Sequence, residues 1–101
     1  MKVVIAGGGA VGTFIATELV EDGHEVTIVE RDPSRVATAE EVGETPGVRW
    51  VVGDACEVSD LARADIERAD VAAAVTGDDE DNLVVSLLAK QEFAVPRVVA
   101  R

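Results

Sequence analysis

Residues 3–12 read V-V-I-A-G-G-G-A-V-G, and this decapeptide decides the fold. A short apolar strand runs into Gly7, Gly9 and Gly12, spaced G-x-G-x-x-G, and an apolar helical pattern follows. The next apolar run, Val26-Thr27-Ile28-Val29, ends on the acid Glu30. Strand, glycine turn, helix, strand and acid together make the pattern of a dinucleotide-binding βαβ unit. The glycines serve the backbone. Gly7 permits the tight turn, Gly9 lets the main chain approach a pyrophosphate, and Gly12 lets the helix sit close to the strand. The start of the helix then offers free N–H groups to phosphates.

Outward from this unit the alternation of strand and helix continues. Lys2–Ala6 is expected as the first strand and Ala10–Glu21 as the first helix, with Val11, Phe14, Ile15 and Leu19 on one face. Glu25–Glu30 is the second strand. Asp32 caps a second helix with Pro33 in its first turn, and that helix fades near Gly43. Val48–Val52 reads as the third strand. Val58–Arg63 reads as a short helix capped by Ser59 or Asp60. The fourth strand is Asp70–Val75, followed by a helix over Asp81–Glu92 with Leu83, Val84, Leu87 and Leu88 turned inward. Arg97–Ala100 is the fifth strand. Short connections between alternating elements imply an α/β fold, a Rossmann-like doubly wound parallel sheet in the order 3-2-1-4-5 with helices on both faces.

Ligands in such sheets bind at the carboxyl ends of the strands. The residues found there are Gly7–Gly12, Glu30, Asp54 and Thr76–Asp79. Glu30 is placed to accept hydrogen bonds from ribose hydroxyls, and its charge repels a 2′-phosphate, which favours NAD over NADP. Arg31 works against that preference, because an Arg there can contact a phosphate. Asp54 either meets the adenine side or caps the turn after strand 3. Asp78 and Asp79 either meet the ligand or cap the following helix. Asn82 is placed to hold the Thr76–Asp79 loop. Trp50 reads as packing, and Cys56 as a small residue at the core edge.

Composition narrows the function. The chain has 101 residues, 48% of them hydrophobic and 3% aromatic, so the core must be built from Val, Ala, Leu and Ile. No apolar run approaches the ~20 residues of a membrane helix. The formal net charge is −11, and Lys occurs only as Lys2 and Lys90. Such a surface has no basic stripe for nucleic acid or anionic lipid. It fits either a generally acidic protein or one adapted to a salty cytoplasm. With a single Cys the expected setting is reducing and cytosolic. The chain contains no Tyr, and His24 and Cys56 are expected off the site, so acid–base or nucleophilic chemistry is not in view. A non-catalytic sensor is expected. The alternatives are the cofactor half of an NAD-dependent dehydrogenase, or an NAD(H)-sensing module for some other partner.

These segments, together with V-T-I-V-E-R-D-P-S-R, V-V-G-D-A and A-A-A-V-T-G-D-D-E-D-N-L-V-V-S-L-L-A-K, resemble the TrkA-N domain, also called the RCK or KTN domain. The resemblance covers essentially the whole chain, with the T-G-D-D-E-D-N segment its most specific part. It implies a cytoplasmic nucleotide-binding regulator of potassium transport, peripheral to the membrane. It also implies assembly into homo-oligomeric dimers or rings on a membrane potassium-translocating subunit. The ligand implied is NAD(H), ATP or ADP. By the same resemblance Gly7, Gly9, Ala10, Val11 and Gly12 would bind phosphates, and Glu30 and Arg31 the adenosine ribose. Asp54 and Ala55 would face the adenine, and Thr76, Gly77 and Asp78 the rest of the pocket. Many members carry an Arg in the glycine turn where this chain has Ala10 and Val11, which shifts the expected ligand toward NAD(H) or ADP. A full domain of this kind continues past strand 5, so the resemblance implies a domain truncated there.

Overall fold

The computed structural model describes all residues, Met1–Arg101. Its centre is a five-stranded parallel sheet in the order β3-β2-β1-β4-β5. The strands are β1 (Lys2–Ala6), β2 (Glu25–Glu30), β3 (Arg49–Val52), β4 (Val71–Ala74) and β5 (Arg97–Ala100). The helices are α1 (Ala10–Glu21), α2 (Pro33–Val42), α3 (Val58–Arg63) and α4 (Asp79–Gln91). The order expected from the sequence is the order found. No helix is long and apolar enough to cross a membrane.

Successive side chains of a strand point to opposite faces, so each strand serves two cores. Val4, Ala6, Val29, Val51, Ala72 and Ala74 face one way, against Leu61 of α3, Ile66 and the inner side of α4. Val3, Ile5, Val26, Ile28, Ala73 and Val75 face the other way, against Ala16 of α1 and the flank of Trp50. Ile5 and Ile28 are wholly buried and lie side by side in register. This two-sided burial explains why the central strands are continuous apolar runs.

The ends of the helices follow from local chemistry. Asp32 caps α2, its Oδ1 accepting from the Ser34 N–H at 2.9 Å, with Pro33 next and left-handed Gly43 at the far end. Asp78 caps α4 by accepting from the Asp81 N–H at 2.9 Å. Three acids then lie in the first turn and Lys90 in the last, an arrangement favourable to the helix dipole. Helix α1 has neither device: its cap is Gly9, and no acid lies in its first turn.

Several expectations need correction. On α1 the buried residues are Gly12, Thr13 and Ala16. Phe14 is 67% exposed and Val11 also faces out, while Ile15 and Leu19 are half-buried. A Cβ at Gly12 would collide with the Gly7 carbonyl oxygen. That close approach fixes the rotation of α1 and admits only small residues at the contact. The same happens on α4, where Asn82, Val85 and Ala89 are buried while Leu83, Val84 and Leu87 are exposed and Leu88 is half-buried. Helix α4 starts at Asp79 rather than Asp81, because Asp78 is its cap. Helix α3 is preceded by Glu57 with no side-chain cap; Asp60 turns back instead and accepts from the Asp54 N–H at 2.7 Å. Strands β3 and β4 are shorter than expected, and a 3-10 turn at Ile66–Arg68 precedes β4. The corrected face of α4 has a direct test. Val85→Ala should cost about 2 kcal/mol through lost burial and a cavity, whereas Leu87→Ala should stay within about 0.5 kcal/mol. Urea denaturation of the two variants measures both.

Candidate functional site

At the carboxyl ends of β1, β2 and β4 the loops leave a cleft of about 560 Å³, a size ordinary for small-molecule sites. Its floor is the glycine turn. Gly7 has φ +113°, and a Cβ there would lie 2.9 Å from the Val75 carbonyl oxygen, so the turn out of β1 requires glycine. Beyond it the backbone N–H groups of Gly9, Ala10, Val11 and Gly12 have no acceptor within the chain; the first helical bond is Thr13 N–H to Gly9 O at 3.0 Å. A Cβ on Gly9 would meet nothing within 4 Å. Gly9 therefore faces open space, and its small size answers no packing need of the fold itself.

Glu30 closes the side of the cleft at the end of β2. Its Oε1 accepts from the Gly8 N–H at 2.8 Å and its Oε2 from the Asp32 N–H at 2.9 Å. Both oxygens keep a further lone pair. Arg31 is largely exposed and sits between Asp81 (3.4 Å) and Asp54 (3.8 Å), joining the strand ends across the mouth of the cleft. Asp54 also accepts from the Cys56 N–H at 2.8 Å, so it holds the turn after β3.

The far side is the loop after β4. Asn82, 1% exposed, accepts from both the N–H (2.9 Å) and the hydroxyl (2.6 Å) of Thr76, and its Nδ2 donates to the Thr76 carbonyl at 3.2 Å. The loop is thus fixed to the first turn of α4, as its position in the sequence led us to expect. Asp78 caps α4, one of its two expected roles, and also lines the cleft.

Of the expected site residues, Gly7, Gly9, Ala10, Val11, Glu30, Arg31, Asp54, Ala55, Thr76, Gly77 and Asp78 all line this one cleft. Gly12 does not; it is buried beneath the turn, against Gly7. Sequence reasoning missed Asp81 and Val85, which α4 contributes to the lining. It also misplaced Cys56, which lines the cleft. Burial pushes the Cys56 thiol up to about 11, with the Asp81 and Asp54 carboxylates adding to the effect, so it stays a protonated thiol near neutral pH. Arg101 reaches the cleft from the end of β5. The lining carries four carboxylates (Glu30, Asp54, Asp78, Asp81) and two guanidiniums (Arg31, Arg101).

Comparison with known proteins gives a consistent result. The model of the TrkA-N domain matches residues 3–101. The chain is 54% identical over its whole length to the Trk system potassium uptake protein TrkA of Mycobacterium tuberculosis, covering 44% of that protein. It is 38% identical, again over its whole length, to the TrkA homolog of Methanothermobacter thermautotrophicus, covering 45% of it. The chain thus spans less than half the length of these relatives. Among solved structures, the TrkA-N domain of the inner membrane protein ybaL from Escherichia coli superposes with TM-score 0.85 at 21% identity, over 99% of this chain and 71% of that one. The NAD(P)-binding domain of an exopolyphosphatase-related protein from Archaeoglobus fulgidus superposes with TM-score 0.80 at 23% identity, over 98% of this chain and 71% of that one. The AMP-bound Kef C-terminal domain of Shewanella denitrificans gives 0.75 at 21% identity, over 99% and 57%. The structural likenesses establish the Rossmann-like fold, and the match over residues 3–101 establishes that this chain belongs to the TrkA-N domain family.

Proposed function

We propose that this domain binds an adenine nucleotide, NAD(H) before ADP or ATP, and uses it to regulate a potassium-translocating membrane partner. One observation carries the nucleotide reading. Four consecutive amides at the start of α1 lack an acceptor, while α2 and α4 are capped by Asp32 and Asp78. Orphan donors at a helix N-terminus beside a cleft suit a diphosphate. The amides of Gly9, Ala10 and Val11, which line the cleft, would hold it, on the turn shaped by Gly7 and backed by Gly12. Glu30 and Arg31 would take the adenosine ribose, with Asp54 and Ala55 on the adenine side and Thr76, Gly77 and Asp78 toward the second half of a dinucleotide.

The charges favour the diester diphosphate of NAD(H) over a triphosphate. Ala10 and Val11 bring no cation to the turn, and the lining is net acidic. A fixed Glu30 carboxylate also disfavours a 2′-phosphate. The NAD(P)-binding and AMP-bound neighbours support the same ligand class. The link to potassium uptake is carried over from the names of the relatives, and the regulatory role is our reading of a nucleotide site without catalytic groups. The role is non-catalytic, and the domain works as a homo-oligomer on the inner face of the membrane. Such control requires the nucleotide to bind one arrangement of the assembly more tightly than another.

Calorimetric titration with NAD⁺, NADH, ADP, ATP and NADPH tests the ligand. NAD(H) should bind most tightly, and NADPH at least about tenfold more weakly, a difference of about 1.4 kcal/mol. Gly9→Val should lose this binding while its melting temperature falls by only a few degrees, since the new side chain enters open space. Binding of none of the five, or undiminished binding by Gly9→Val, overturns the reading. Affinity capture with a potassium-translocating subunit of the same cell tests the partner. A complex whose stability changes with the nucleotide supports regulation; absence of any complex contradicts it.

A further inference from the structure

Behind the glycine turn, outside the cleft, lies a group of side chains that the nucleotide reading does not use. Arg35 of α2 donates from Nε to the Gly8 carbonyl oxygen at 2.8 Å. Its two terminal nitrogens pair with both oxygens of Glu44, each at 2.8 Å. Its guanidinium carbon lies 5.6 Å from the centre of the Trp50 ring, within cation–π range. Trp50 in turn donates from Nε1 to the Thr45 hydroxyl at 2.9 Å. A Cβ on Gly8 would collide with the Trp50 ring. The middle glycine of G-G-G therefore answers a packing need, room for the Trp50 ring. Arg35, Trp50 and Gly8 do not line the cleft.

Peptide geometry connects this group to the site. In a trans peptide the C=O of one residue and the N–H of the next point in opposite directions. With the Gly8 carbonyl turned out toward Arg35, the Gly9 N–H is turned away from it, and that N–H is the first of the four that lack an acceptor. On its other side the Gly8 N–H is held by Glu30. The Gly8 peptides are thus gripped at both ends, by an acid on β2 and a base on α2. The grip on the carbonyl is itself held rigid. A guanidinium forked onto one carboxylate and laid over an indole has little freedom left. Hydrogen bonding to Arg35 also holds the Glu44 carboxyl below the usual carboxylate range, so the fork stays charged at neutral pH.

We propose that Arg35 is a positioning residue for the nucleotide diphosphate: through its bond to the Gly8 carbonyl it sets the Gly9 N–H toward the phosphates before the ligand arrives. The inference rests on the nucleotide reading given above. It separates diphosphate recognition, which Arg35 sets, from ribose recognition, which Glu30 supplies.

That separation is what the experiment reads. Affinities for NADH and for adenosine are measured by calorimetry on the wild-type chain and on Arg35→Met. The variant should lose NADH affinity by at least about tenfold while adenosine binding changes less than about twofold. A fall in both by the same factor would mean that Arg35 only supports the fold, and unchanged affinity for both would mean that it does not act on the turn; either result overturns the proposal. Should Arg35→Met fail to fold, Arg35→Lys takes its place. It keeps a cation over Trp50 but cannot bond Gly8 and fork onto Glu44 together, and the same ratio decides. A wild-type chain that binds neither compound defeats the nucleotide reading itself, and this inference with it.

Discussion

Four amides at the start of α1 point at nothing inside the protein, and the geometry around them exists to keep them so. Any buried or half-buried N–H that lacks an acceptor is costly unless water or a ligand satisfies it. On α2 and α4 the chain supplies an acceptor of its own, the Asp32 and Asp78 carboxylates, each taking one first-turn N–H. At α1 it places Gly9, which has no side chain to offer. The left-handed-region turn at Gly7 brings the chain out of β1 and straight into the helix, and Gly12 lets that helix press against the turn. The rest of the sheet serves as a frame for this one junction.

The frame also sets how the cleft connects to the outside of the molecule. Helix α4 contributes Asp81 and Val85 to the lining and its cap Asp78 a third residue, and Asn82 in its first turn grips Thr76 by three hydrogen bonds. Its outer face carries Leu83, Val84 and Leu87, all exposed. A ligand that shifts the Thr76–Asp78 loop therefore acts on the end of a rigid helix whose opposite side is free for contact. This is the physical link that a nucleotide-sensing role requires: a site and a surface joined by one element. Arg31, bridging Asp54 and Asp81 over the mouth, joins the β2 and β3 ends to the same helix.

Much of this could be read from the sequence, and the misses have a common cause. The strand order follows from the alternation of elements and the handedness of crossovers. The glycine spacing and Glu30 located the cleft, and eleven expected residues line it together. The faces of α1 and α4 were misread because periodicity gives most weight to large apolar residues such as Phe14 and Leu83. Where a helix lies close on a sheet, the contact belongs to small ones, Gly12, Ala16 and Ala89. Cys56 and Asp81 were missed because they come together only across the fold, the Cys56 thiol lying 3.9 Å from the Asp81 carbonyl oxygen. The Arg35–Glu44–Trp50 group left no local signal at all. Its members meet Gly8 across long stretches of chain, and only the folded structure shows that Trp50 occupies the space a Gly8 side chain would need.

Amide chemical shifts of the labelled chain, followed as NADH is added, test the central claim most directly. The account predicts that the Gly9, Ala10 and Val11 N–H resonances move downfield together as they gain acceptors, with saturation at one common ligand concentration. Saturable shifts confined to other parts of the chain, with these three amides unmoved, would contradict it.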